Sequence, residues 1–232
     1  MTDISVFGDS VMQGVIRENN AYKISKNRFS NICEEVLGVT IENKAKFGST
    51  ISVGEQIIEK NLDLISNTNS KYVVLEFGGN DSDYNWSEIS DDPDKEYNPK
   101  STIDSFVRIY TKLINEIKKL GKIPTLLSLP PIDAQKYFAR ITQKLNAANI
   151  LKWMKGNIQF LTNWHERYNI EVFKLALTNA VPIVDITSKF LENKNYSELL
   201  CDDGIHPNEA GHRVIAEAIR EHVQRRQIVL VG

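Results

Sequence analysis

Four short stretches of this sequence hold residue types that can do chemistry. Gly8-Asp9-Ser10 follows an apolar run, Ile4 to Phe7. A serine at a strand-to-helix turn can present its hydroxyl above a sheet, where the next helix N-terminus favours developing negative charge. The plainer reading is a helix cap, because serine is a preferred N-cap residue. Asp202-Asp203-Gly204-Ile205-His206-Pro207 lies near the other end of the chain. A general base needs its imidazole held in one tautomer, and a carboxylate three residues earlier does this across a tight turn. Asp203 has that spacing to His206, and Gly204 allows the turn. Asp202 falls where it would face solvent or support the loop, and the competing reading makes His206 an ordinary loop histidine. Gly78-Gly79-Asn80-Asp81 ends the clearest apolar run. Its glycines permit close approach of a ligand, and the Asn80 amide can donate to an oxyanion; a simple turn would use the same residue types. Phe47-Gly48-Ser49-Thr50 offers the Gly48 N–H as a further donor.

These stretches need elements to position them. Apolar runs alternate with amphipathic segments along the chain, the pattern of a parallel sheet with helices on both faces. Strands are expected at Ile4–Phe7, Thr40–Asn43, Tyr72–Phe77, Ile123–Leu129 and Val181–Ile186. Ser101-Thr102-Ile103-Asp104 reads as a capping box with Asp in place of Glu. It opens a helix whose stripe is Phe106, Val107, Tyr110, Leu113, Ile114 and Ile117, closed by Gly121. Further helices are expected over residues 157–179 and just after Pro207. Residues 81–99 show no stable period and read as a long loop, with Asp81, Asp83, Asp91, Asp92 and Asp94 set among Tyr84, Trp86 and Tyr97. A loop of that length is more often functional than idle. It leaves the C-terminal end of a strand, where ligands of open α/β sheets bind.

Taken together, the four stretches resemble the blocks of the SGNH, or GDSL-type, hydrolase family. The resemblance runs from residue 4 to about residue 223. Gly8-Asp9-Ser10 matches the first block, with Val11 where Leu is typical. Asn43 followed by Gly48 and Thr50 matches the second, Gly78, Asn80 and Asp81 the third, and Asp203, His206 and Pro207 the last. The family's namesake residues therefore fall on Ser10, Gly48, Asn80 and His206. The resemblance implies a three-layer α/β/α sandwich around a flavodoxin-like, five-stranded parallel sheet. It also implies ester hydrolysis through an acyl-enzyme, without metal or other cofactor. Ser10 would attack, His206 would carry the proton and Asp203 would orient the imidazole. The N–H groups of Ser10 and Gly48 and the Asn80 amide would hold the oxyanion.

Composition sets limits on other readings. The chain has 232 residues, a length that one α/β domain can fill. At 41% apolar, 25% charged and a net charge of -2, it has the balance of an ordinary globular protein. Arg220, Arg225 and Arg226 are interleaved with Glu217 and Glu221, as at a solvated helix end, so no nucleic acid is expected. No secretory signal or span of about 20 apolar residues is visible, and Cys33 and Cys201 read as reduced thiols. A cytoplasmic protein acting on a small-molecule ester is the expectation. The apolar tail Ile228-Val229-Leu230-Val231 is expected either to dock, as an edge strand or against a second subunit in a homodimer, or to be a disordered end.

Three rival readings remain. A metal-dependent deacetylase or phosphodiesterase would use His206 and His212 with Asp202, Asp203 and Glu209. A nucleotide-binding module meets the objection that Gly8-Asp9-Ser10-Val11-Met12-Gln13-Gly14 is neither GxGxxG nor a P-loop. A catalytically silent glycan-binding domain would have no use for an intact Ser, Asp and His. Among the aromatics, Tyr84, Trp86, Tyr137, Phe138, Trp153 and Trp164 are pocket candidates. Trp86 and Asp81 are the expected substrate contacts, with Trp164 and Phe138 expected in the core. The polar loop and the absence of a long apolar lid point to short acyl groups, including acetyl esters of sugars.

Overall fold

A computed structural model describes residues 3–69 and 71–231, with side chains between Ile4 and Arg225. Strand β1 (Asp3–Gly8) is followed by a single helical turn, α1 (Ser10–Gln13). A hairpin of β2 (Val15–Glu18) and β3 (Ala21–Ile24) comes next, then α2 (Phe29–Leu37) and β4 (Thr40–Asn43). Helices α3 (Ile51–Glu59) and α4 (Leu62–Asn67) lead into β5 (Tyr72–Glu76). After α5 (Trp86–Asp91) and α6 (Ile103–Lys119) comes β6 (Ile123–Leu127). The second half holds α7 (Ala134–Ile141), α8 (Ala147–Trp153), α9 (Gln159–Thr178), β7 (Ile183–Val184), α10 (Ile186–Leu191) and α11 (Glu209–Val231).

The five strands β4-β1-β5-β6-β7 pair in that order, all parallel. Alternate side chains of a strand face opposite ways, and the core divides accordingly. Phe7, Val73, Leu75 and Leu126 pack against α3, α4, α6 and α9. Val6, Val74, Leu127 and Val184 pack against α2, α10 and α11 on the other face. This is the three-layer flavodoxin-like arrangement. From β1 the sheet grows first towards β4 and then, in the other direction, towards β5, which makes a crevice at the C-terminal ends of β1 and β5. The segments leaving those two ends carry Ser10 and Asn80.

Several local expectations change. The hairpin turns on Asn19 and Asn20, both with positive φ (52° and 63°), as a two-residue turn matched to strand twist requires. Residues 81–99 contain α5, whose six residues are too few for a helical period to show in sequence. The cap of α6 is Thr102, whose side chain accepts the Ser105 N–H, while the Ser101 hydroxyl turns away to donate to Asp81 at 2.5 Å. The fifth strand shrinks to two residues because the Asp185 side chain already caps α10. The backbone of residues 228–231 continues α11, so the expected edge strand does not form. Docking of that tail against a second subunit concerns side chains outside the described residues. No described helix is long and apolar enough to cross a membrane.

One close approach sets the distance between α3 and the sheet. A Cβ on Gly54 would lie 2.3 Å from Cζ of the buried Phe77 ring. Phe77 in turn meets Tyr110 of α6 edge-on at 6.2 Å, so the ring has no easy retreat. Gly54→Ala should therefore cost about 1–3 kcal/mol of stability through overpacking, read as a lower urea midpoint with an unchanged slope. A wild-type midpoint would show that the ring yields freely.

Candidate active site

The nucleophile-bearing turn is built by Asp9, not Ser10. Asp9 Oδ1 accepts the Val11 N–H at 2.8 Å and caps α1, which makes Ser10 its first residue. The cap reading of Ser10 is thereby removed. Ser10 Oγ lies 2.8 Å from His206 Nε2, and His206 Nδ1 lies 2.7 Å from Asp203 Oδ2. The other Asp203 oxygen accepts the backbone N–H groups of Ile205 and His206 at 3.2 and 3.1 Å. Gly204 makes the turn with φ +75°, and a Cβ there would meet the Asp133 carbonyl at 2.7 Å.

All three side chains are buried, with Asp203 fully so. Burial alone would raise the Asp203 carboxyl. The hydrogen bond to His206, the attraction of its charge and the two backbone donors outweigh that and hold it below the ordinary carboxylate range. The hairpin braces this loop. Arg17 pairs with Asp202, and its backbone N–H donates to Cys201 Sγ at 3.2 Å. Asp202 thus supports the loop from its exposed side.

Asn80 reaches the same place from β5. Its Nδ2 donates to Asp9 Oδ2 at 2.9 Å, and a primary amide has a second N–H to offer. Gly48 is exposed in a turn with φ +73°. Its neighbour Phe47 lines the cavity and stacks over His206 at 5.9 Å, with 14° between the planes. Tyr22 of the hairpin also sits over His206, with 5.2 Å between ring centroids.

Two acids that sequence reasoning passed over sit directly behind this group. Glu76 ends β5 and is buried against Asp9. Burial, and then the Asp9 charge, push the Glu76 carboxyl well above the ordinary range; burial also raises Asp9. Two like charges so close cannot both ionise. Burial and the Asp9 charge raise Glu76 the further of the two, while the Val11 and Asn80 donors favour the charged form of Asp9, so Glu76 holds the proton of the pair. The available signal was an acid inside the most apolar strand.

A cavity of about 310 Å³ opens onto Ser10, Asn80 and His206. Tyr84, Trp86, Phe160 and Trp164 form its aromatic wall, and Asp83, Tyr137 and Arg140 supply polar groups. Asp83 is held in place by Tyr137 Oη at 2.5 Å, Trp86 Nε1 at 2.8 Å and Lys100 Nζ at 2.8 Å. Trp86 and Tyr137 therefore reach the cavity. Trp164, a pocket candidate expected in the core, lines it as well, with an indole N–H that is buried and unpartnered. Phe138 packs beneath the wall.

Asp81 does not reach the cavity, which corrects its assignment to substrate. Its fully buried carboxylate accepts the Ile51 N–H at 3.0 and 3.1 Å and the Ser101 hydroxyl, closing the N-terminus of α3. His212 is fully buried and stacked on Phe29, and burial lowers it to about 4. Among the described residues, no three His, Cys, Asp or Glu side chains converge as a metal site.

Two outcomes follow from these acids. Burial raises Asp81 from 3.8 to about 6, so the folded chain holds a proton that the unfolded chain releases, and stability falls as pH rises through that window. Between about pH 4 and pH 6 the wild type should lose roughly 2 kcal/mol relative to Asp81→Asn, measured by denaturant titration at each pH. Parallel pH curves would refute the shift. At the acid pair, Asp9→Ala frees Asn80 and should lower kcat by about 10²-fold, whereas Glu76→Gln keeps a neutral hydrogen-bonding group and should change kcat little. An equal loss in both would show that the shared proton itself is required.

The model of the GDSL-like Lipase/Acylhydrolase family matches residues 6–214. No curated protein matches the chain by sequence. Among solved structures, a lipase/acylhydrolase from Enterococcus faecalis superposes with TM-score 0.70 at 17% identity, covering 97% of each chain. A catalytic mutant of Axe2, an acetylxylan esterase from Geobacillus stearothermophilus, superposes with TM-score 0.66 at 18% identity, covering 96% of this chain and 94% of that one. A member of the lipolytic G-D-S-L family from Veillonella parvula gives TM-score 0.64 at 16% identity, covering 95% and 97%. At these identities the likeness is one of fold, and the family match extends it to the chemistry: the chain belongs to the GDSL-like lipase/acylhydrolase family and is a serine-dependent carboxylic ester hydrolase.

Proposed function

We propose that this chain removes acetyl groups from a saccharide, with Ser10 as nucleophile, His206 as general base and acid, and Asp203 as the group that orients the imidazole. The unbroken relay from Ser10 through His206 to Asp203, at 2.8 and 2.7 Å, carries the reading. As Ser10 Oγ bonds to the acetyl carbonyl carbon, its proton passes to His206 Nε2 and the carbonyl oxygen becomes an oxyanion. The free N–H of Asn80 and the backbone N–H groups of Ser10 and Gly48 stabilise that charge. Collapse breaks the ester C–O bond, and His206 returns the proton to the departing sugar hydroxyl. Water, deprotonated in turn by His206, then attacks the acetyl-enzyme; the bond to Ser10 Oγ breaks, His206 returns the proton to Oγ, and acetate leaves.

The substrate class rests on the cavity. Its volume of about 310 Å³ exceeds what an acetyl group fills, and aromatic faces surround Asp83, Tyr137 and Arg140. Aromatic faces accept the C–H faces of a sugar ring, while fixed carboxylate, phenol and guanidinium groups take its hydroxyls. An acetylxylan esterase among the solved structures of like fold agrees with this class.

The test is kinetic. Acetylated xylose and an aryl acetate should be turned over, and the acetate faster than the matching octanoate; the reverse order would remove the short-acyl reading. Ser10→Ala should bring activity to background with folding intact. Asn80→Ala should lower kcat by roughly 10² to 10³-fold with little change in KM, and Asp203→Asn should lower kcat by up to about 10⁴-fold. Wild-type turnover by Ser10→Ala would end the assignment of the nucleophile. Loss of activity on dialysis against a chelator would favour metal-dependent chemistry instead.

A further inference from the structure

A second cavity, of about 500 Å³, lies beside the Ser10 chamber, and Tyr84 and Phe160 are walls of both. We propose that this cavity, built around Trp153, is a second saccharide subsite that holds the neighbouring unit of an oligosaccharide whose acetylated unit occupies the Ser10 chamber. The proposal rests on the saccharide reading above and extends it from a single sugar to a chain.

The cavity is fixed in shape by its rings. Trp153 meets Tyr84 edge-on at 5.0 Å and Phe160 at 5.3 Å, and its indole N–H donates to the Lys95 carbonyl at 3.1 Å. The indole is therefore held between the two side chains that border both cavities, and a unit lying against it abuts the Ser10 chamber. Such preorganisation lowers the cost of binding.

The rim selects the kind of ligand. Asp94, Glu96, Lys95, Lys152 and Lys155 surround the cavity with both signs of charge. Lys152 is already paired with Asp94 and Lys95 with Asp92, at 2.8 and 2.9 Å. No surplus of one sign is left to attract an ion, and the polar rim would desolvate poorly against an acyl chain. Acceptors and donors interleaved around an indole suit the hydroxyls and C–H faces of a neutral sugar. Lys155 is also held with φ +55°, in the left-handed region that non-glycine residues seldom adopt.

The experiment compares an aryl acetate, acetylated xylose and acetylated xylotriose on the full chain. The wild type should favour the trisaccharide over the monosaccharide by about three- to tenfold in kcat/KM, the worth of one ring contact, with the difference in KM. Trp153→Ala and Glu96→Ala should lose that advantage and keep wild-type turnover of the aryl acetate and the monosaccharide. Lys155→Gly relieves the left-handed strain, so it should melt no lower than the wild type while still losing part of the advantage; it guards against a result caused by misfolding. Equal kcat/KM for the two sugar esters in the wild type would overturn the subsite, as would an equal loss on all three substrates in a folded Trp153→Ala. Turnover of the aryl acetate with neither sugar ester would instead overturn the saccharide reading of the Ser10 chamber, and the subsite with it.

Discussion

The hydrogen bond between Ser10 and His206 joins residues 196 positions apart in the chain, and a buried contact of that span has to be held by the whole fold. Each partner is made ready locally. Asp9 caps α1 and sets Ser10 at its start, while the turn at Gly204 folds Asp203 back onto His206. What brings the two together is the sheet. β1 lies inside it, between β4 and β5, and delivers Ser10 to the crevice, and α11, packed on the same layer as α2, delivers the loop that precedes it. The hairpin then fastens that loop through Arg17, Asp202 and Cys201.

Around this contact the electrostatics are arranged in layers. Asp203 stays ionised because His206 and two N–H groups compensate its burial. Behind it, Asp9 and Glu76 divide one proton, and the ionised member anchors Asn80. Farther out, Asp81 ties the start of α3 to the segment that carries Asn80. Carboxyl groups in these three settings have different jobs because their donors differ, not because their residue type does. Burying so many acids costs stability, and the fold accepts that cost where the reacting groups must be held still.

The cavity shows the complementary principle. Much of its wall comes from α5, α7 and α9 and from the segment after β5, none of which belongs to the sheet. The apolar residues of these elements form a third cluster around Tyr84, Trp86, Ile89 and Ile150, joined through Trp164 of α9 to the layer that α9 shares with α3, α4 and α6. A rigid sheet thus holds the reacting groups while an aromatic cluster shapes what may reach them, which is how related folds keep one chemistry and vary the substrate.

Much of this was legible in the residues alone. The strands could be read because apolar runs report burial on both faces, and Asp203 with His206 could be read because three residues and a glycine make a local turn. Ser10, Asn80 and Gly48 could be named only through their order along the chain, since each by itself is ordinary turn chemistry. The hairpin at Asn19-Asn20 and the helix at Trp86–Asp91 were hidden because both are shorter than the period needed to reveal them. Only the tertiary structure decided the partners of the buried acids: that Asp81 serves α3, that Glu76 faces Asp9, and that Trp164 borders the cavity as well as the core. The physical reason is the range of the interactions. Propensity, capping and turn chemistry act between neighbours in sequence, whereas the charge state and role of a buried side chain are set by whatever distant segment packs against it.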